Sequence, residues 1–210
     1  MLRPDRRAER SLSFNLATIL RESSNADPHK PLCRLGDHSF SNAQVDEISG
    51  RIATSLRALG VGRGDKVAVQ LPAVPHFFFA YFGILKVGAV LVPLDPHMRA
   101  PEICYQLVTS GARLLITFET SAEQAVLGAA EIDGLGTYVV KAPIDAQLPA
   151  GTHHFDELYF AEDTDEIEPT DGDDPAVIVY TTGKPTGAKL THLQLYTSWT
   201  GDGASFRYPR

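Results

Sequence analysis

The sequence predicts an α/β fold, a doubly wound, mostly parallel sheet flanked by helices. Strand-like segments alternate with helical segments along the chain, which favours parallel strands joined by crossover helices. The run GAVLVPL at 88–94 is apolar throughout, as in a strand that is covered on both faces. The 210 residues are 43% apolar and 21% charged, the balance of an ordinary soluble domain.

The clearest helix is predicted at 42–59, after a short strand, KPLCRLG, at 30–36. Apolar residues recur in the helix every three or four positions and form one stripe for a core. Ser41 and Gln44 can form a capping box at its start, and Gly60 supplies a left-handed residue at its end. GVGRG at 60–64 resembles a dinucleotide fingerprint, but that motif must follow a strand and open a helix. Here it precedes a strand, which indicates a helix-to-strand turn.

The remaining elements continue the alternation. Strands are predicted at 65–71, 88–94, 112–118, 136–141 and 175–180, and helices at 73–87, 101–110 and 122–131. Segment 77–94 is apolar enough to suggest a membrane span, but Lys86 in its middle would cost about 2.5–3.5 kcal/mol there. A buried helix that runs into a buried strand fits better, so we expect no transmembrane segment.

The cysteines and the N-terminus indicate a compartment. Cys33 and Cys104 are too few and too far apart for a disulfide framework or a zinc site, so we expect reduced thiols packed in the core. The N-terminal arginines precede no long apolar stretch, so the start of the chain is not a secretory signal. We therefore expect a reducing, cytoplasmic setting.

The net charge of −7 arises mainly from segment 161–174, AEDTDEIEPTDGDD, which is acidic and carries no basic residue. The segment lacks apolar periodicity and contains Pro169 and Gly172, which is typical of a solvated linker. Calcium binding is the alternative, but the spacing does not match an EF-hand loop. The rest of the chain is nearly neutral, which argues against nucleic-acid binding.

A loop rich in glycine, threonine and lysine follows the strand at 175–180, at the end of a parallel strand where ligands bind. Glycines let backbone amides approach an anion, consecutive amides form a nest for negative charge, and hydroxyls and a lysine add donors. The spacing excludes a Walker A loop, which needs four residues between its first glycine and Gly-Lys-Ser/Thr. The predicted polyphosphate-binding residues are Thr181, Thr182, Gly183, Lys184, Thr186, Gly187 and Lys189.

Three stretches resemble motifs of the adenylate-forming (AMP-binding) superfamily, which includes acyl-CoA synthetases, firefly luciferase and peptide-synthetase adenylation domains. YTTGKPTGAKLTH at 180–192 resembles the phosphate-loop motif YTSGTTGxPKG followed by Thr-His, SFSNAQVDE at 39–47 resembles LTYxELDE, and LKVGAVLVPLDP at 85–96 resembles LKAGAxYVPLDP. Residues 98–117 and 187–195 are most similar to bacterial fatty-acyl-CoA ligases. An aryl- or amino-acid-activating relative is the alternative.

The resemblance implies a two-step ligase that uses ATP, Mg²⁺ and coenzyme A. A fatty acid would attack the α-phosphate of ATP, giving an acyl-adenylate and pyrophosphate, and the thiol of coenzyme A would then take the acyl group. The resemblance also implies that 1–210 is a partial N-terminal AMP-binding domain of the acyl-CoA synthetase/luciferase fold. Its acidic linker would be at about 161–174 and its phosphate loop at 180–189, with the C-terminal domain absent.

The phosphate loop departs from the family motif. Aligned on TGKPTG, the chain lacks three residues of Ser-Gly-Thr type between Thr181 and Thr182, and Thr186 replaces the motif lysine. Three residues span up to about 10 Å of extended chain. We therefore expect weak or absent nucleotide binding, and an error or omission in the sequence at this point is the alternative.

No residue is assigned as catalytic or as a metal ligand. His192 is interpreted as capping or packing near a helix start, and His153-His154 as loop. The family's ribose-binding aspartate and C-terminal catalytic lysine have no counterpart here, so we expect an inactive fragment of a ligase. The alternatives are a catalytically dead module that keeps the fold and a plain nucleotide-binding domain. An uncovered sheet edge or apolar face would favour self-association.

Overall fold

A seven-stranded sheet lies between two layers of helices. The computed structural model describes residues 13–141, 146–180 and 187–200. The helices are α1 (Thr18–Ala26), α2 (Asn42–Ala58), α3 (Pro75–Lys86), α4 (Ala100–Ser110), α5 (Ala122–Ala129) and α6 (His192–Thr200), with a 3₁₀ helix at Phe155–Tyr159. The strands are β1 (Pro31–Leu35), β2 (His38–Ser41), β3 (Lys66–Gln70), β4 (Val90–Pro93), β5 (Ala112–Phe118), β6 (Gly136–Val140), β7 (His153–His154), β8 (Pro175–Val179) and β9 (Ala188–Thr191).

The strand order of the large sheet is β7-β6-β5-β3-β4-β8-β9. All neighbouring pairs are parallel except β8 and β9, which are antiparallel. The chain enters the sheet at β3, steps to one side to form β4 and then to the other side to form β5, β6 and β7. Strand order therefore reverses beside β3, and a crevice is expected at the carboxyl ends of the strands there. The predicted doubly wound, mostly parallel sheet is confirmed.

The two faces of the sheet pack against different helices because alternate residues of a strand point to opposite faces. Val67 and Val69 of β3 belong to a core cluster with α1, α2 and α3, whereas Ala68 belongs to a second cluster with α4 and α5. Burial on both faces explains the unbroken apolar run of β4. Within the described ranges, no helix combines the length and apolar character needed to cross a membrane.

Local signals fix the ends of the predicted helices. At the start of α2, the Gln44 amide donates to Ser41 Oγ at 3.4 Å and the Ser41 amide donates to Gln44 Oε1 at 2.9 Å, so the capping box forms. Gly60 and Gly111 take φ of 77° and 67°, the left-handed conformation that follows a helix end. Residues 60–64 form the expected turn between α2 and β3.

Three expectations need correction. The interpretation of His153-His154 as loop is wrong, because the two residues form β7 and pair with β6 at the edge of the sheet. The cysteines are free thiols; Cys33 is half-buried and packs against the core, whereas Cys104 is half-buried on α4 rather than enclosed. Burial raises the pKa of the Cys33 thiol to about 11.

The third correction concerns the acidic segment 161–174, here called the acidic strap. It contains no helix or strand apart from an isolated bridge between Asp171 and Ser13, but it is not simply solvated. Arginines hold it against the body of the domain, through the contacts Arg21–Asp165 (2.6 Å), Arg57 to the Glu166 main-chain oxygen (3.1 Å), Arg63–Asp171 (2.9 Å) and Arg63–Asp174 (2.6 Å). Exposed pairs of this kind contribute about 0–1 kcal/mol each. The strap is also held by a main-chain hydrogen bond from the Glu168 amide to the Lys86 oxygen at 2.7 Å and by packing of Ile167 against the core.

A buried ionic cluster joins the first three helices. Lys86 at the end of α3 is fully buried, and its Nζ lies 2.6 Å from Asp46 Oδ1 on α2 and donates to the Asp46 main-chain oxygen at 2.5 Å. Arg21 on α1 donates from Nε to Asp46 Oδ2 at 2.6 Å. Burial lowers the pKa of Lys86, and the nearby Asp46 charge opposes that shift. The carboxylate of Asp46 thus compensates two cations.

Replacing Asp46 by alanine should lower the free energy of unfolding by about 3–5 kcal/mol, because the buried Lys86 cation loses its counter-charge. Urea denaturation followed by circular dichroism measures this change. Glu47→Ala, one residue along the same helix, is the matched control, since Glu47 pairs with Arg51 on an exposed face. That control should cost under about 0.5 kcal/mol. Equal losses in the two variants would contradict the role given to Asp46.

Candidate functional site

The predicted phosphate loop lies between β8 and β9. β8 is parallel to β4, with Leu91 opposite Val177, so β8 ends at the same rim of the sheet as β3, β4 and β5. β9 returns antiparallel, with Ala188 opposite Val179. Both ends of the loop are therefore at the carboxyl rim, where ligands of open α/β sheets bind. The site residues outside the described ranges are Thr181, Thr182, Gly183, Lys184 and Thr186.

The structure describes two of the predicted loop residues. Gly187 lies against Ile178 and Tyr180, and a Cβ on Gly187 would come within 3.1 Å of the Tyr180 ring. This close approach explains the need for glycine at that position. Lys189 lies opposite Ile178 in β9, its side chain is exposed, and it forms no ion pair within the described part of the chain. It is a cation close to the loop.

A cleft of about 780 Å³ opens at this rim. Its walls are the segments after β3 (71–73), β4 (93–99) and β5 (120–124), with Val179 at the end of β8. The cleft therefore lies where the strand order reverses, and Val179 connects it to the loop. Its volume is within the range of about 300–1,000 Å³ that is usual for small-molecule sites.

A chain of hydrogen bonds links the ends of β5 and β3 to the segment after β4. Thr117 near the end of β5 donates from Oγ1 to Gln70 Oε1 at 3.0 Å, and both side chains are fully buried. Gln70 at the end of β3 donates from Nε2 to the main-chain oxygen of Asp95 at 3.1 Å, just after β4. This bridge ties together the strand ends from which the walls of the cleft continue, although Gln70 and Thr117 do not themselves line it.

The segment after β4 is held by two hydrogen bonds. Asp95 Oδ1 accepts the His97 amide at 2.7 Å, and that hydrogen bond keeps the pKa of Asp95 below its ordinary value. Ser121 Oγ donates to the Pro96 main-chain oxygen at 2.8 Å. The exposed Arg99 lies at the mouth of the cleft, so the cleft offers an apolar wall with a cation at its edge.

The described residues hold no group of three or more His, Cys, Asp or Glu side chains that could bind a metal ion.

His192 is fully buried at the first position of α6, and its Nδ1 accepts the Leu16 amide at 3.1 Å. The interpretation of His192 as a residue that packs near a helix start is confirmed, and His192 is not available to a ligand in the cleft.

Sequence reasoning missed Gln70, Thr117 and Arg99. A signal for the first two existed, since a polar residue at the carboxyl end of an otherwise apolar strand is placed at the binding rim. The side chain to which each residue bonds could not be read from the sequence, because the bridge joins residues 47 positions apart.

Residues 20–208 match the profile of the AMP-binding enzyme family. The chain belongs to this family. The three motifs that predicted the membership lie within the matched range, and the observed sheet is that of the N-terminal domain of the acyl-CoA synthetase fold.

Individual members of the AMP-binding family are similar to this chain over most of its length. Surfactin synthase subunit 3 of Bacillus subtilis (strain 168) is 33% identical over 178 residues, which cover 83% of this chain and 13% of that protein. 4-Coumarate–CoA ligase 3 of Oryza sativa subsp. japonica is 34% identical over 163 residues, which cover 76% of this chain and 28% of that protein. A solved benzoate CoA ligase from Burkholderia xenovorans LB400 superposes with a TM-score of 0.78 at 25% identity, over 88% of this chain and 36% of that chain. The chain thus spans well under half the length of these relatives.

The hydrogen bonds that link the strand ends should be sensitive to loss of one hydroxyl. Thr117→Val leaves the buried Gln70 Oε1 without its donor, so the free energy of unfolding should fall by about 1–3 kcal/mol. Thr109→Val, at an exposed hydroxyl of α4, is the control and should change stability by under about 0.5 kcal/mol. Chemical denaturation of both variants measures these changes. If Thr117→Val lowers the free energy of unfolding by no more than Thr109→Val does, the hydrogen bond between Thr117 and Gln70 does not stabilise the fold.

Proposed function

We propose that this rim forms the polyphosphate side of an acid-activating site, in a protein that converts a carboxylic acid to an acyl-adenylate with ATP and passes the acyl group to coenzyme A. The observation that carries the proposal is the position of the loop flanks: β8 ends and β9 begins at the carboxyl rim, directly beside the cleft. Membership of the AMP-binding family and identity to a CoA ligase support the same chemistry.

The loop 181–186 would surround the β- and γ-phosphates of ATP with backbone amides and threonine hydroxyls, and then hold the departing pyrophosphate. Lys184 within the loop and Lys189 beside it would add positive charge. Mg²⁺, when bound with the triphosphate, neutralises part of its charge. The donor set fits the phosphate anion, since amides, hydroxyls and lysine side chains donate hydrogen bonds to phosphate oxygens. No catalytic residue is assigned to this chain.

The acid is proposed to be a fatty acid, because residues 98–117 and 187–195 resemble the corresponding segments of bacterial fatty-acyl-CoA ligases in sequence. The apolar wall of the cleft is compatible with an alkyl chain. An aromatic acid is the second candidate, which identity to a coumarate ligase and similarity to a benzoate ligase favour. Pyrophosphate release measured with fatty acids, 4-coumarate and benzoate as alternative substrates would separate the two.

The shortened loop should limit nucleotide binding. Isothermal titration of the 210-residue chain with ATP·Mg²⁺ should give a dissociation constant of about 1 mM or weaker. Insertion of Ser-Gly-Thr between Thr181 and Thr182 should tighten binding by about tenfold or more, equivalent to about 1.4 kcal/mol, because it restores donors and reach around the phosphates. An Ala-Ala-Ala insertion at the same point is the control for length alone.

Micromolar affinity of the unmodified chain would show that loop length is not limiting. A failure of the unmodified chain and of the Ser-Gly-Thr variant to bind, with both folded, would contradict the proposed nucleotide site and favour a module that keeps the fold without the activity. Circular dichroism and thermal melting establish folding in each case.

A further inference from the structure

We propose that His192 is a positioning residue for the phosphate loop: its imidazole ties the strand that leaves the loop to the N-terminal segment 13–17. The two bonded residues, Leu16 and His192, are 176 positions apart. The inference rests on the proposed function for its nucleotide consequence, but the tie itself can be tested without any nucleotide.

The strand that leaves the loop has few other contacts. β9 is the last strand of the sheet and pairs only with β8 among the described strands. It leads directly into α6, whose described side chains are mostly exposed, with His192 the fully buried one. Whatever holds His192 therefore holds the end of β9, in addition to the packing of Leu190 against the core.

Main-chain hydrogen bonds close the base of the β8–β9 hairpin. The His192 amide donates to the Asp174 main-chain oxygen at 3.1 Å, and the Leu193 amide donates to the Gly172 oxygen at 2.8 Å. Asp174 directly precedes β8 and His192 directly follows β9, so these bonds join the two ends of the hairpin to each other.

The imidazole anchors this base to the rest of the molecule. His192 Nδ1 accepts the Leu16 amide at 3.1 Å. The N-terminal segment is in turn fixed to the acidic strap, because the Phe14 amide donates to the Thr170 main-chain oxygen at 2.7 Å and Asn15 Nδ2 donates to the Glu168 main-chain oxygen at 2.9 Å. An aromatic contact between Phe14 and Tyr196, with ring centroids 5.3 Å apart, extends the anchor along α6.

The tie requires a neutral imidazole, because a protonated Nδ1 cannot accept a hydrogen bond. Burial lowers the pKa of His192 from 6.5 to about 4; the Asp174 carboxylate opposes the shift and the Arg63 guanidinium adds to it. Arg63 also pairs with Asp174 at 2.6 Å. The folded chain thus binds fewer protons than the unfolded chain between these two pH values. The stability from this group is fully present above about pH 6.5 and is lost as the pH falls towards 4.

Hydrogen exchange of the 210-residue chain tests the tie. His192→Leu keeps bulk but removes the acceptor, and amide exchange in 188–191 should become about tenfold faster or more, with β3 and β5 amides unchanged. His192→Asn carries an oxygen close to the position of Nδ1 and should restore most of the protection. Leu193→Ala, at the exposed neighbouring position, is the matched control and should exchange as the unmodified chain does.

Each outcome decides for or against the proposal. Unchanged exchange in 188–191 for His192→Leu would overturn it. If His192→Leu unfolds the whole chain, His192→Asn decides, since equal damage by both variants would show that the acceptor is not what matters.

The link to the nucleotide has its own readout, the ATP·Mg²⁺ affinity of the Ser-Gly-Thr insertion variant with and without His192→Leu. A weakening of about tenfold is expected. Faster exchange without any change in affinity would remove the link to the loop, and a complete lack of ATP binding before the His192 change would overturn the proposed function while the exchange result stands.

Discussion

The common direction of β3, β4, β5, β6 and β8 determines where this molecule can bind a ligand. Parallel strands end at one rim, so the segments that follow them meet there whatever their separation in sequence. Each connection between such strands must also cross a face of the sheet, which brings α3 to one face and α4 and α5 to the other. The helices α1 and α2 precede β3 and pack on the same face as α3. The cleft and the flanks of the phosphate loop are consequences of this single arrangement.

The sequence predicts best the elements whose signals are local. α2 has both a periodic apolar stripe and a capping box, and β4 is apolar throughout because both of its faces are covered. β7 and β9 are different: His153-His154 and AKLT carry no strand pattern and are extended because their main chains pair with β6 and β8. Pairing at a sheet edge is a contact between distant segments, which a local pattern does not encode.

The candidate site likewise has one part that local sequence predicts and another part that depends on contacts between distant residues. The loop could be placed at the rim because its motif and the strand before it are adjacent in sequence. The bridge of Thr117 and Gln70 and the ion pair of Lys86 and Asp46 join residues 47 and 40 positions apart, and only the folded chain brings each pair together. The contacts of the acidic strap could not be predicted from local sequence either. Its composition indicated a solvated linker, but its arginine partners lie in α1, in α2 and in the turn before β3.

The route of the chain between β7 and β8 has a topological consequence. β7 lies at one edge of the sheet and β8 lies beyond β4, so residues 155–174 carry the chain across the width of the sheet. A single nick in the strap would leave β8, β9 and α6 on a different polypeptide from β3 to β7. The two pieces would then share the walls of one cleft and be joined only by non-covalent pairing, as in a protein reconstituted from complementary fragments.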